Sequence, residues 1–181
     1  MLIFTIGQGS RRVVDLVAAL RTREVRYLCD VRSVAMSKHA PEFCGVELSA
    51  ALSLEGVTYI GLGGPLGGRP QDRGAYNDDG YVNYDKLIVL PAFQAGIDRL
   101  VKGAAGGHRI AVFCSEGQPE RCHRSKAIGR ALCDRGVDVL HIDAEDCDIT
   151  QDAVMQRFGS LQLSLLGEAE DPSVISRGRY L

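Results

Sequence analysis

The sequence predicts a single three-layer α/β/α domain built on a mostly parallel sheet of about five strands. Short, continuous apolar runs alternate along the chain with segments whose apolar residues recur at the helical period. Strands that are apolar throughout are typical of parallel sheets, which helices cover on both faces. The chain has 181 residues, of which 45% are hydrophobic and 24% are charged, as expected for one globular domain.

The predicted elements follow one another from the N-terminus in this alternating pattern. The strands are short apolar runs at residues 2–6, 26–31, 58–62, 109–114 and 138–142. The helices are amphipathic segments at residues 12–22, 46–54, 84–101, 125–135 and 149–158. Ser10 is a candidate cap of the first helix, and Pro91 is expected to kink or restart the third. We expect the domain to span residues 1–160, with residues 161–181 as a C-terminal extension.

Charge and hydropathy exclude several functional classes. The net charge is −2, so no overall positive field directs the protein to nucleic acid or to an anionic membrane. No apolar run approaches the length of a membrane-spanning helix. The N-terminal residues have neither a basic leader nor a small-residue cleavage site, so we expect a first strand rather than a signal peptide. We therefore expect a cytosolic protein with no membrane partner.

Six cysteines are spread along the chain, and none forms a Cys-x-x-Cys pair. This spacing argues against a zinc ribbon, a thioredoxin-type centre and a disulfide-stabilised scaffold. Cys114, Cys122 and His123 could supply three metal ligands, but adjacent residues make poor chelate geometry and no fourth ligand is evident. We therefore expect no metal and no cofactor.

Polar and reactive residues follow each of the first four strands. Ligands of parallel sheets bind at the carboxyl ends of the strands, so these residues are expected to form one site. The candidates for substrate binding are Gly7, Gln8, Ser10, Asp30, Arg32, Gly67, Gly68 and Arg69. The candidates for catalysis are Cys114, Glu116, Cys122, His123 and Arg124.

The catalytic candidates lie in the loop and helix start that follow the fourth strand. A cysteine at a strand end, before a helix, lies near unpaired amides and the positive end of the helix, which favour the thiolate. His123 and Arg124 would add positive charge, and Glu116 could act as an acid or base or could orient a partner. The alternative is that Cys114 and Cys122 are buried structural residues.

The binding candidates are glycines and an arginine in two loops. The amides of the Gly7–Gly9 turn could hold an anion, although a tight turn explains the same glycines. The dinucleotide fingerprint is incomplete because Arg12 replaces its last glycine. Residues 63–83 form a long glycine-rich loop, which is typical of a lid or binding loop, or else a flexible insertion.

These motifs, in this order, resemble the domain-of-unknown-function 488 family over about residues 1–145. They are Thr5-Ile6-Gly7-x-x-Ser10, Asp30-Val31-Arg32, Tyr59 with Leu66-Gly67-Gly68, Cys114-x-Glu116 and Cys122-His123-Arg124. Gln8 stands where the family usually has histidine, so a proton-carrying role there would be lost or moved, whereas hydrogen bonding would persist. The resemblance implies a fold and a site but no reaction.

A looser likeness connects the chain with rhodanese-type sulfurtransferases and their phosphatase relatives. These proteins also place an Asp-x-Arg after an early strand and a cysteine loop between a later strand and a helix. The loop from Cys114 to Arg121 is one residue longer than the usual phosphatase loop. Glu116 within it would repel an oxyanion, so this likeness is an analogy only.

Two functional classes fit these observations best. The first is an enzyme, such as a cysteine-dependent transferase or hydrolase, that acts on a small polar, anionic or nucleotide-type substrate. The alternative is a non-catalytic module that binds an anion or a nucleic acid and has structural cysteines. Residues 114–136 carry a mild excess of Lys and Arg, which permits nucleic acid without requiring it. A redox sensor using Cys114 and Cys122 would need their sulfurs within bonding distance. The oligomeric state is left open.

Overall fold

A computed structural model describes residues 1–162 and 174–181 of the chain. Its strands are β1 (Leu2–Gly7), β2 (Tyr27–Asp30), β3 (Thr58–Gly61), β4 (Tyr81–Asn83), β5 (Ile110–Cys114), β6 (Asp138–Ile142), β7 (Asp148–Thr150) and β8 (Ile175–Arg179). Its α-helices are α1 (Val13–Thr22), α2 (Gly45–Leu54), α3 (Gly63–Leu66), α4 (Tyr84–Ile88), α5 (Pro91–Ala105), α6 (Arg130–Cys133) and α7 (Gln151–Gln162). Together these elements form a mixed α/β fold.

The main sheet has six strands in the order β3-β2-β5-β1-β6-β7. The first five are parallel to one another, and β7 pairs with β6 in the antiparallel direction. Gly7 lies opposite Cys114, and Asp30 lies opposite Phe113, so β1, β2 and β5 end level with one another. The mostly parallel sheet predicted from the sequence is confirmed, with one more strand than expected.

Helices cover both faces of this sheet, as the continuous apolar strands require. On one face α1 and α2 pack against Phe4, Ile6 and Phe113. On the other face α5 and α6 pack against Ile3 and Val112. Alternate residues of each strand therefore point into separate cores, which confirms the three-layer arrangement.

The helix boundaries follow local sequence signals. Pro91 is the first residue of α5, where its missing N–H costs no hydrogen bond, so the predicted third helix is two helices. Asn83 caps α4 by accepting hydrogen bonds from the backbone N–H groups of Asp85 and Lys86. A π-helical turn, Arg124–Gly129, precedes α6. Such turns are frequent at functional sites, and this one begins beside the predicted catalytic residues.

The loop predicted over residues 63–83 contains regular structure. It includes α3 at its start and β4 at its end, and β4 pairs with β8 from the C-terminus. Of the predicted C-terminal extension, residues 163–173 lie outside the described residues. None of the helices in the described ranges is both long and apolar enough to cross a membrane.

Candidate functional site

A cavity of about 690 Å³ opens at the carboxyl edge of the sheet, within the size range of small-molecule sites. Eight of the thirteen predicted site residues line it. They are Gln8, Arg32, Gly68, Arg69, Cys114, Glu116, Cys122 and His123. The parallel strands therefore bring together residues from distant parts of the chain, as the rule for strand ends predicts.

The loops after β1 and β5 continue the pairing of the two strands beyond their ends. The N–H of Gln8 donates to the carbonyl of Cys114 at 2.7 Å, and the N–H of Gly9 donates to Ser115 at 3.0 Å. Gly9 has a φ of 53°, a conformation that glycine adopts readily. A Cβ at Gly9 would lie 3.0 Å from the Cα of Gly117, so the close contact of the loops also favours glycine.

Arg124 lies behind this loop rather than in the cavity. Its side chain is fully buried, and its guanidinium donates to the backbone carbonyls of Glu116 and Gly117, the latter at 2.7 Å. Gly7 leaves room for these groups, because a Cβ there would collide with the Glu116 carbonyl and the Arg124 guanidinium. Neither Gly7 nor Arg124 lines the cavity. The geometry therefore makes Arg124 a positioning residue for the loop.

Two cysteines and a histidine form a buried cluster on the inner wall of the cavity. Their Sγ and Nδ1 atoms all lie within 4.8 Å of one another. His123 Nδ1 is 3.7 Å from the sulfur of Cys114 and 3.7 Å from that of Cys122. On its other side, His123 Nε2 lies 3.1 Å from the carbonyl oxygen of Leu66. We refer to Cys114, Cys122 and His123 as the Cys–Cys–His cluster.

The two thiols of this cluster have opposite electrostatic environments. A hydrogen bond from Cys122, with help from His123 and the N–H of Glu116, holds the pKa of Cys114 well below its ordinary value despite burial. Burial is the main cause that raises the pKa of Cys122 well above its ordinary value, and the contact with Cys114 raises it further. The pair therefore favours one thiolate and one thiol, with the negative charge on Cys114.

Arg32 enters the cavity from the end of β2, where a buried carboxylate orients it. Asp30 accepts hydrogen bonds from the Arg32 Nε at 3.0 Å and Nη2 at 2.6 Å, and from the Tyr59 hydroxyl at 2.6 Å. Burial and the bond to Asp30 raise the pKa of Tyr59 to about 12. Asp30 does not line the cavity, so the predicted binding residue is a support for Arg32.

The remaining candidates divide between the cavity wall and its surroundings. Gly68 lies against the histidine of the cluster, since a Cβ there would be 2.8 Å from His123 Nδ1. Gly67 lies behind the wall, where a Cβ would collide with Ser33. Ser10 is exposed after β1 and does not line the cavity. Of the residues in the glycine-rich loop, Gly68 and Arg69 reach the cavity, and Gly67 does not.

Sequence reasoning missed the contribution of the C-terminal strand. Arg177 Nη1 pairs with Glu116 Oε2 at 2.9 Å, and the Arg69 guanidinium lies 4.3 Å from the centre of the Tyr180 ring. Arg177 and Tyr180 both line the cavity. The sequence of β8, Ile-Ser-Arg-Gly-Arg, has no apolar alternation, so nothing in it identifies a strand without its partner β4.

Four arginines and one carboxylate line the cavity, and two of the arginines, Arg32 and Arg177, are paired with Asp30 and Glu116. The arginines are Arg32, Arg69, Arg121 and Arg177, and the carboxylate is Glu116. Arg121 is exposed at the cavity, and it forms no ion pair with any residue in the ranges 1–162 and 174–181. The guanidinium groups fit an anionic ligand in the part of the cavity that they line.

Fold and site together define an α/β protein with a cavity of small-molecule size at the carboxyl edge of a mostly parallel sheet. The chain belongs to the family described as domain of unknown function DUF488, whose model matches residues 11–130. The match includes the Cys–Cys–His cluster and confirms the predicted family, while the motif at residues 5–10 precedes it. No curated protein and no solved structure matches the chain, and nothing in these comparisons supports the rhodanese-type likeness.

Proposed function

We propose that the protein is an enzyme that acts on a small anionic substrate, such as a nucleotide, bound in the arginine-lined cavity. The observation that carries this proposal is the combination of four arginines with a buried cluster of reactive side chains on one cavity wall. Guanidinium groups bind carboxylates and phosphates through paired hydrogen bonds. The cavity volume, about 690 Å³, suits a ligand of nucleotide size rather than an extended duplex.

The arginines of the cavity include one fixed side chain and others that are exposed to solvent. Arg32 is 5% exposed, and Asp30 holds its Nε and Nη2. Its Nη1 forms no hydrogen bond within the described part of the chain, so it is free to donate to a ligand. Arg69 and Arg121 are exposed and can close on the substrate from solvent. A fixed donor limits the entropy that is lost when the anion binds.

The Cys–Cys–His cluster favours catalysis over binding alone. Recognition of an anion requires donors, and the arginines already supply them. Two thiols and an imidazole within 4.8 Å of one another add nucleophilic and acid–base groups that recognition does not need. The non-catalytic module, binding an anion or a nucleic acid, is the competing function.

Calorimetric titration of the reduced, metal-free protein tests the binding half of the proposal. The ligands are inorganic phosphate and a nucleoside 5′-monophosphate, with the uncharged nucleoside as the matched control. We expect the anions to bind, and we expect Arg121→Gln to weaken them about tenfold, as for loss of one charge-assisted hydrogen bond. Arg21→Gln is the control variant, because Arg21 is an exposed α1 residue paired with Glu55. Failure of both anions to bind, or equal weakening by Arg21→Gln, would contradict the proposal.

Product analysis by mass spectrometry tests the catalytic half. Each ligand that binds is incubated with catalytic amounts of the protein, with and without a divalent cation. We expect product in excess over protein, and we expect Cys122→Ser to lose turnover while it keeps anion affinity and a native circular dichroism spectrum. Tight binding of anions without turnover would instead support the non-catalytic module.

A further inference from the structure

The Cys–Cys–His cluster has the geometry of a metal-binding site. Tetrahedral zinc binds sulfur at about 2.3 Å and nitrogen at about 2.0–2.1 Å, so the sulfur–nitrogen edge of its coordination sphere is about 3.6 Å. The two measured distances from His123 Nδ1 to the sulfurs of Cys114 and Cys122 are both 3.7 Å. The nitrogen therefore already lies at coordination separation from both sulfurs.

The orientation of His123 supports the same interpretation. A carbonyl oxygen can only accept a hydrogen bond, so the contact with Leu66 places the ring proton on Nε2. When the ring is neutral, Nδ1 carries a lone pair, and Nδ1 is the ring nitrogen that lies beside the two sulfurs. Histidines that bind metals usually donate their second ring N–H to a carbonyl or carboxylate in this way.

Adjacent residues such as Cys122 and His123 are expected to chelate a metal poorly, which is why the sequence predicts no metal. The fold removes this objection, because the side chains of Cys122 and His123 converge at 3.7 Å at the start of the π-helical turn. Gly68 keeps the remaining space open, since a Cβ there would lie 2.8 Å from Nδ1. Within residues 1–162 and 174–181 the cluster has three ligands, so one tetrahedral position is left for a molecule from the cavity.

We propose that Cys114 Sγ, Cys122 Sγ and His123 Nδ1 bind one thiophilic divalent cation, such as Zn²⁺. The cysteines bind as thiolates, and any thiol protons pass to the solvent. Two thiolates and a neutral imidazole balance the charge of the cation. Soft sulfur ligands select such metals over Mg²⁺ or Ca²⁺. With an open position, the ion would act as a Lewis acid or activate water.

The place of this ion in the cavity rests on the proposed function. The Cys–Cys–His cluster lines the same cavity as Arg32 and Arg121, so an anion held by the arginines could bind the metal at the same time. Binding of the ion itself needs no anion, so the two proposals can fail independently.

Titration with Co²⁺ under reducing conditions, in a phosphate-free buffer, tests the site. Bound thiolates give cobalt an intense charge-transfer absorption, and a tetrahedral ion gives strong ligand-field bands. We expect saturation at one equivalent, and competition by Zn²⁺ that abolishes both signals. Cys114→Ser, Cys122→Ser and His123→Gln should each weaken binding by about tenfold or more. Cys133→Ser and Cys147→Ser are matched controls at exposed cysteines and should bind as the wild type does.

X-ray absorption of the wild-type zinc complex uses no variant, so misfolding of a variant cannot affect its result. We expect two sulfur ligands and at least one nitrogen ligand. Absence of the charge-transfer absorption, a shell of oxygen and nitrogen only, or full binding by Cys114→Ser would overturn the proposal. A disulfide between Cys114 and Cys122 that persists under the reducing conditions would overturn it as well. Addition of phosphate to the cobalt protein should shift the ligand-field bands; unchanged bands would show that the fourth position does not open to the cavity.

Discussion

Replacement of Asp30 by asparagine should strongly destabilise the protein, because it removes the charge that balances buried Arg32. The carboxylate accepts from the Arg32 backbone N–H, Nε and Nη2, and from the Tyr59 hydroxyl. The side chains of Asp30 and Arg32 are only 1% and 4% exposed. Loss of one partner from a buried ion pair costs about 3–5 kcal/mol. For a chain of this length that free energy corresponds to a fall in Tm of about 10 °C.

Urea unfolding followed by circular dichroism measures this loss, with the midpoint expected to fall at an unchanged slope. Glu55→Gln is the control, because it breaks the exposed pair with Arg21 and should cost at most about 1 kcal/mol. If Asp30→Asn costs no more than Glu55→Gln, the pair does not hold Arg32 in place and the reasoning is refuted.

Three other changes probe separate parts of the structure. Burial lowers the pKa of His141 to about 4, so the unfolded state takes up the proton at higher pH than the folded state does. The free energy of unfolding should therefore fall by about 3 kcal/mol as the pH drops from about 6.5 to 4. Urea midpoints of His141→Asn should lack this fall, whereas those of exposed His39→Asn should keep it. Gly68→Ala should crowd His123 and weaken cobalt binding by about tenfold, measured by absorption, whereas Gly64→Ala, with open space around it, should not. Arg124→Lys keeps the charge but cannot bridge the carbonyls of Glu116 and Gly117, so calorimetry should show weaker phosphate binding; unchanged affinity would contradict its positioning role.

The apolar strands allowed most of the sheet to be predicted from the sequence. Strands such as β5 (Ile110–Cys114) are apolar on both faces because both faces are covered, and this pattern specifies a parallel, buried strand. The level ends of these strands then placed Gln8, Arg32 and Cys114 at one edge. β7 was missed because it has only three residues, and β8 was missed because its sequence, Ile-Ser-Arg-Gly-Arg, contains no apolar run.

The exact positions of side chains in the site could not be predicted in the same way. Arg124 and His123 are adjacent in the sequence, yet His123 faces the cavity and Arg124 turns to the carbonyls behind it. The start of the π-helical turn sets these directions, and no pattern in the sequence predicts that turn. The convergence of Cys122 with His123 depends on the same turn, so it does not follow from their being adjacent in the sequence.

The most direct test of the proposed function is a crystal of the protein soaked with tungstate, an electron-dense analogue of phosphate. The account predicts an anomalous peak inside the cavity, within hydrogen-bonding reach of Arg32 and Arg121 and in front of the Cys–Cys–His cluster. Peaks found only at cationic side chains outside the cavity would contradict it. A cavity without tungstate would also contradict it if phosphate binds the protein at another place.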